Sequence, residues 1–511
     1  VPIAGQALVT FVSFGKITQP LYLLTLLMFV ALSFSSAFKL FQFILIENIQ
    51  QKIFTHTSLD LSKNLPMVSM EVFENYRGTE LTNRYFDIFT LQKSIALFLM
   101  GAFSIFLQAI FGMILLAAYH PLLLVFDFIY VLFVFLAVFL PFKPALVSAL
   151  EESSAKYEVA AWLEEIARLP LLFKFSNYAD FALQVADSKI FRYLKNRQSH
   201  FKKLIHHAIG GYLIQVLSST ALLLLGGFLV IKNQLTLGQL VASEIVVATL
   251  GDAAQKLTKN LENVYDLLAA TDKLNFLREL PIEKSIKLVH ENKYNHFTLD
   301  SPPEIEVKNL SFSRDDGKLI FPNVNFNLPS GDCLAVYGES GKGKTIFTKL
   351  LLGLSDFKQG DILYNKIPLS NYDARQLRES ISYISDIQIF DSTIIKNILM
   401  HRVDIPINHV MQFLKKFEIF DIISSLPNGI ETNISDTHHL ISHNDLLLIC
   451  FTRALFSSPK LLFVDEVLDL MPESYVEKIL AFIKSDEFNA TTIITTQSEN
   501  ILNHFENKII L

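Results

Sequence analysis

Cysteine is almost absent: the 511 residues hold two, Cys333 and Cys450. They form neither a metal-ligand spacing nor a disulfide framework, which leaves buried free thiols in a reducing compartment. A basic excess is absent too. The formal net charge is −6 and the sequence pI about 6.1, so no global positive field argues for nucleic acid as a partner. No repeat of about 20–50 residues and no low-complexity tract stands out. The sequence begins at Val1 with no initiator Met, signal peptide or basic leader, and reads as a fragment.

What the chain has in excess is apolar. It is 51% hydrophobic, with 44 Phe and a mean hydropathy of +0.36, above the usual globular balance. Such a composition needs lipid as well as a core. The apolar residues concentrate before Pro281, in runs at 21–38, 94–118, 122–140, 208–231 and 235–250. Most approach or exceed the ~17–20 residues that span hydrocarbon, and few soluble helices are apolar all round. The last run is short and contains Glu244. "YHP" at 119–121 and "KNQ" at 232–234 read as tight turns that make hairpins of the helices they join. The gaps 39–93 and 141–207 are long, polar and helix-patterned. The second ends with Lys189, Arg192, Lys195, Arg197, Lys202 and Lys203, and basic residues near span ends favour the cytoplasmic side. Long loops are therefore expected inside and short turns outside, with the spans continuing into the cytoplasm as helices. Lys39, Asp127 and Glu244 fall in or near the spans. Intramembrane charge is a functional-site hypothesis by default, to be weighed against snorkelling at an interface.

The pattern changes near Pro281. Residues 281–303 are polar with scattered charge and read as a linker; from Glu304 the chain reads as α/β. "IEVKNLSF" alternates as a half-buried strand, "CLAVY" is a short apolar strand, "TIFTKLLLGL" a helix, and "LLFVDE" and "TTIITT" further buried strands. The expected organisation is an α-helical transmembrane domain over 1–280, a linker over 281–303 and an α/β P-loop domain over 304–511.

"GESGKGKT" at 338–345 fits G-x-x-x-x-G-K-[ST] and joins a predicted strand to a predicted helix. In such a loop Gly338, Glu339, Ser340, Gly341, Lys342 and Gly343 curl backbone N–H groups around phosphate oxygens. Lys344 brings charge to the β- and γ-phosphates, and Thr345 offers a hydroxyl to Mg²⁺ at the start of the helix, whose dipole favours the anion. "LLFVDE" places Asp465 at the carboxyl end of a buried strand, where it can hold Mg²⁺, and Glu466 beside it can polarise an attacking water. A lone run of this kind is weak evidence, because strands often end in acids. Paired with the phosphate loop it is strong, and ATP with Mg²⁺ is the implied ligand.

With these motifs in place the chain resembles the ABC transporters, specifically exporter-type half-transporters with the membrane domain ahead of the ATPase domain. "GTELTNRYFD" at 78–87 is similar to that family's first cytoplasmic loop, "GGFLVIKNQLTLGQLVA" at 226–242 to its last transmembrane hairpin, and "LPNGIETNI" at 426–434 to the segment leading to its signature. By the same likeness "VPIAGQALVTFV" is the tail of a truncated first transmembrane helix. The resemblance implies ATP-driven export by a dimer with a second half-transporter, identical or different, acting on a substrate it does not name. It implies an integral membrane protein, bacterial inner (plasma) membrane, with the nucleotide domain in the cytoplasm.

The chain also departs from that family. The signature LSGGQ falls on "ISHND" at 441–445: Ser442 survives, His443 and Asn444 replace the glycines, and Asp445 replaces the glutamine. Glycine serves where backbone approaches a ligand or takes φ > 0; Asn tolerates that conformation and His less readily. Asp445 adds negative charge near a phosphate. The switch histidine falls on Gln497, the adenine-stacking tyrosine on Arg314, and the aspartate after the catalytic glutamate on Pro472. The loop glutamine falls on Ser385 or Asp386, with Gln388 nearby. The resemblance thus assigns catalytic roles to Glu466, Gln497 and Ser442. It leaves two functions: a P-loop ATPase coupled to export with weakened hydrolysis, or a nucleotide-binding, non-hydrolysing regulatory or structural partner subunit. Helices near 66–74 and 169–178 would carry motion between nucleotide and spans.

Overall fold

The computed structural model describes residues 2–13, 18–76, 78–175, 178–283, 298–313, 317–357, 359–400, 402, 405–434 and 441–511. Two units result: Val1–Pro66 with Tyr76–Leu280, and Met67–Asn75 with Pro281–Leu511.

Among the described residues the first unit is helical. Its long members are Thr18–Asn64, Asp87–Tyr119, Pro121–Phe139, Phe142–Arg168, Tyr178–Ile231 and Leu237–Arg278. Among the described residues five helical stretches are long and apolar enough to cross a membrane. A helix is the form that satisfies every backbone N–H and C=O within its own segment, which lipid demands. In the most apolar 18-residue window of Leu21–Met67 no residue is buried, whereas half of that window in Leu237–Arg278 is. The first therefore leaves its side chains uncovered by this chain, and the last is the centre of the bundle. Its small residues let neighbours come close. A Cβ on Gly251 would lie 2.9 Å from Gln215 Cγ, and one on Gly211 would lie 2.2 Å from Thr258 Oγ1. Gly211 lies on Tyr178–Ile231 and Gly251 on Leu237–Arg278, and each faces the other helix.

The two short turns have local causes. His120 is extended between helices, its Nδ1 accepts from Leu122 N at 3.1 Å, and Pro121 occupies the first helical position. Proline is preorganised there because its missing N–H would have had no helical partner. At 232–234 Asn233 takes φ 57°, and Thr236 then starts the last helix by a capping box with Gln239. Snorkelling fits Lys39, which is exposed. It does not fit Asp127: this side chain is 7% exposed and shares a helix face with buried Leu123 and Tyr130. Among the described residues neither Asp127 carboxylate oxygen has a hydrogen-bond partner, and the same holds for one oxygen of Glu244.

The described residues of the second unit form two sheets. Strands β1 (Ile305–Ser313), β2 (Leu319–Leu328), β4 (Gln359–Tyr364) and β5 (Ile367–Pro368) form an antiparallel sheet in the order β2-β1-β4-β5. Strands β3 (Cys333–Tyr337), β6 (Ile381–Ile384), β7 (Leu461–Asp465), β8 (Thr491–Thr496) and β9 (Asn507–Ile510) form a parallel sheet in the order β6-β7-β8-β3-β9. Side chains alternate across a strand, and here both faces are covered. Leu461 and Phe463 pack with Leu334, Val336, Ile493 and the helix residues Phe347 and Leu350 on one face. Leu462 and Val464 pack with Ala335, Ile494, Leu448 and Ile479 on the other. That explains the nearly unbroken apolar runs of β3 and β7, since a parallel sheet buried on both faces has no polar side. The segment Met67–Asn75 joins this unit through a bridge between Val68 and Ile282, a Ser69 N to Pro281 O bond of 2.9 Å and a Glu74–Lys349 ion pair of 2.8 Å. Of the two expected loop helices, the region 66–74 overlaps Met70–Asn75 and the region 169–178 contains Pro170–Lys174, while 176–177 lie outside the described residues. Most of the expected linker, 284–297, lies outside them as well.

Candidate nucleotide site

The site is built at the carboxyl ends of β3, β7 and β8, where an open parallel sheet binds its ligands. The chain leaves β3 at Tyr337, turns through Gly338, Glu339, Ser340, Gly341, Lys342 and Gly343, and enters the helix Lys344–Leu351. Gly341 and Gly343 have φ of 84° and 93°, and a Cβ on Gly343 would meet Ile320 Cγ2 at 2.4 Å. Only glycine fits Gly343, on conformation and on space. Glu339, Ser340, Gly341, Lys342 and Thr345 are exposed, while Gly338 and Lys344 are buried. The loop opens onto solvent, and its lysine points inward.

Lys344 Nζ has three oxygen partners: Gly338 O, Glu339 O at 2.9 Å and Glu466 Oε1 at 2.8 Å. Asp465 is 3% exposed; its Oδ1 accepts from Thr495 Oγ1 at 2.6 Å and its Oδ2 from Tyr383 OH at 3.2 Å. Burial, and after it the Asp465 charge, push the Tyr383 hydroxyl up to about 12 against the opposing pull of a Ser385 hydrogen bond, so it stays a donor at neutral pH. Glu466 sits at φ 59°, held by bonds from its own N–H to Thr495 O and Oγ1. Gln497 Nε2 donates to Glu466 Oε1 at 3.2 Å.

The structure thus brings together Lys344, Glu466 and Gln497, with Asp465 behind them. Ser442 is placed elsewhere: it caps the helix His443–Phe456, and its described side-chain hydrogen bonds are all with Asp445. Here the sequence expectation about backbone strain is corrected. His443 and Asn444 are the first helical residues and neither has positive φ, so the helix start demands no glycine conformation. Asp445 is turned onto Ser442 in a capping box, where a carboxylate suits the helix dipole. Arg314 lies outside the described residues. Among the residues that fall at the loop glutamine, Ser385 adjoins the Tyr383–Asp465 pair, Asp386 accepts from Ile387 N at 2.7 Å, and the Gln388 carbonyl accepts from Arg453 Nη1 at 2.6 Å.

Sequence reasoning passed over Asp469. It lies in the one-turn helix Leu468–Leu470 and accepts from Thr496 Oγ1 and from Gln497 N, the latter at 2.8 Å. The signals were an acid three residues after Glu466 and two threonines ending a buried strand, groups that need partners when buried.

Residues 321–469 match the family described as ABC transporter. The chain is 24% identical over 319 residues to the mitochondrial iron-sulfur clusters transporter ATM1 of Candida glabrata, covering 62% of this chain and 43% of that one. It is 26% identical over 299 residues to an ATP-dependent lipid A-core flippase of Legionella pneumophila, covering 58% and 47%. It is 29% identical over 230 residues to a probable ABC transporter ATP-binding/permease protein of Haemophilus influenzae, covering 44% and 40%. The chain spans less than half the length of these curated relatives. A bacterial Atm1-family ABC exporter, solved with ATP bound, superposes with a TM-score of 0.86 at 18% identity, covering all of this chain and 90% of that one. These likenesses put an ABC-transporter nucleotide domain in the second unit and give the whole chain the fold of an ABC exporter half-transporter, a helical transmembrane domain followed by an α/β domain.

Proposed function

We propose that this chain is one half of a dimeric ABC exporter, driven by ATP binding and by hydrolysis that its altered motifs weaken. The observation that carries the reading is the convergence of Lys344, Glu466 and Gln497 at the ends of β3, β7 and β8. Backbone N–H groups from Gly338 to Gly343 cradle the phosphates and Lys344 adds charge. Arg314 offers a planar guanidinium to adenine. Glu466 polarises water, and Gln497 can hydrogen-bond but carries no charge. Thr345 and Asp465 supply a hydroxyl and a carboxylate, the hard oxygen donors Mg²⁺ takes; Thr495 and Tyr383 hold Asp465 in place and leave it lone pairs to spare. When bound, that ion neutralises charge between the β- and γ-phosphates.

The partner is a second half-transporter, identical or different, and the medium is a lipid bilayer, taken as a bacterial inner membrane with the second unit in the cytoplasm. The domain division 1–280, 281–303 and 304–511 belongs to the same reading. The second reading, a nucleotide-binding subunit that does not hydrolyse, is favoured by Gln497, which carries no charge at the switch position, and by His443 and Asn444, whose side chains at the helix start should face the partner's γ-phosphate. ATPase activity in vesicles, alone and with any co-encoded half-transporter, separates the two. Turnover that rises with the partner and disappears in Glu466→Gln supports the exporter. No turnover in either setting, with ATP still bound, selects the non-hydrolysing subunit.

A further inference from the structure

Asp469 has no part in that chemistry, yet both of its carboxylate oxygens are engaged. One accepts from Thr496 Oγ1 and the other from the Gln497 N–H. Donors from consecutive residues fix the exit of β8 in orientation as well as position, and hydrogen bonds to a carboxylate are roughly twice as strong as neutral ones. From that backbone the Gln497 amide reaches Glu466 Oε1 at 3.2 Å, and the same oxygen lies 2.8 Å from Lys344 Nζ. The lysine side chain is 2% exposed and the glutamate 35%, so water screens the pair only from one side. The left-handed backbone of Glu466, tied twice to Thr495, aims its side chain there. Lys344, Glu466, Gln497 and Asp469 form one chain of contacts through the site.

We propose that Asp469 is a positioning residue of the nucleotide site: it sets Gln497 so that its amide holds Glu466 on Lys344, and the terminal phosphate of ATP binds by exchanging with that glutamate. The inference rests on the nucleotide reading above. No covalent bond changes in the exchange. Lys344 gives up a carboxylate oxygen for a phosphate oxygen, and Glu466 is released. While Glu466 is paired, its Oε1 is taken by Lys344 and Gln497, whereas a released carboxylate has that oxygen free to polarise water. Binding and arming of the base are therefore a single event, and Asp469 sets how firmly the base is parked. The altered switch residue fits this role, because a neutral amide donates to Glu466 without competing with Lys344 as a second cation.

The test uses the full chain in lipid nanodiscs, with trinitrophenyl-ATP as the probe in the absence of divalent metal, and Mg²⁺-ATP turnover measured in parallel. Glu466→Gln should bind the probe about tenfold more tightly, since a hydrogen bond to a charged group is weakened to a neutral one. Asp469→Ala should also tighten binding, by less, and Asp469→Asn, which keeps one acceptor, should fall between it and the parent. In a Gln497→Ala background Asp469→Ala should change affinity no further, because its effect runs through Gln497. A residue with only a structural role would give the same shift in both backgrounds. Unchanged affinity in Glu466→Gln, or an Asp469→Ala shift independent of Gln497, overturns the proposal while Lys344→Ala still abolishes binding. If Lys344→Ala binds normally, the phosphate-site reading itself falls.

Discussion

Ser442, His443 and Asn444 separate two things glycine does in a loop: it permits unusual backbone, and it lets backbone approach a ligand. Here the backbone is ordinary helix start, capped by Ser442 and Asp445. What the substitutions add is bulk and polarity at exposed His443 and half-buried Asn444. Removing that bulk should therefore restore approach without relieving strain. Losing one transition-state donor typically costs about 10²–10³ in rate, so the parent homodimer should hydrolyse ATP feebly. Restoring glycines at His443 and Asn444 should raise ATPase activity, as should restoring histidine at Gln497, and the combined variant should rise most because both groups act on one γ-phosphate. Ordinary transporter turnover by the unmodified homodimer would show these substitutions to be immaterial. Lys344→Ala should weaken ATP binding severely in every background, since it removes the only side-chain cation among the oxygen contacts described for this loop.

At the level of elements, β7 carries the largest consequence. Each of its residues is buried, alternate side chains enter different hydrophobic clusters, and its end presents Asp465 and Glu466. Phe463→Ala should cost about 3–5 kcal/mol, as removal of a fully buried aromatic usually does. Chemical denaturation of the full chain, followed in the second unit, would measure it; a loss below about 1 kcal/mol would mean the strand tolerates a cavity. β3 and β7 were legible in the sequence because a strand buried on both faces is a nearly uninterrupted apolar run, and β8 because its β-branched threonines and isoleucines favour a strand. β2, β4 and β5 were not. "LIFPNVNFNL" mixes apolar residues with Pro322 and three asparagines, and its strand exists through antiparallel pairing with β1, which no local pattern reveals. Asp469 escaped for a related reason. Its function depends on Thr496 and Gln497, 27 and 28 residues further along the chain.

Across the whole molecule the testable quantity is which way the chain crosses the bilayer. The turns 119–121 and 232–234 should face outside and the basic stretch 189–203 inside. Single cysteines at His120, Asn233 and Lys195 should report this with an impermeant maleimide: the first two label from outside, and labelling of Lys195→Cys from outside would reverse the topology. The native thiols should give little background. Burial raises the pKa of both Cys450 and Cys333, which lowers the reactive thiolate at neutral pH.

The sequence by itself determined that this chain has membrane-spanning helices followed by an α/β phosphate-binding domain. Hydrocarbon spans need long uniform apolar runs, and a phosphate cradle needs glycines and a lysine at fixed spacing. Both are local requirements, written in consecutive residues. Tertiary structure decided what the individual polar groups do. It buried Asp127 without a hydrogen-bond partner among the described residues, turned Asp445 onto its own helix end, set Glu466 against Lys344 and gave Asp469 the backbone of Gln497. A carboxylate acts through whatever donor lies within about 3 Å, and in a folded chain that donor is often distant in sequence.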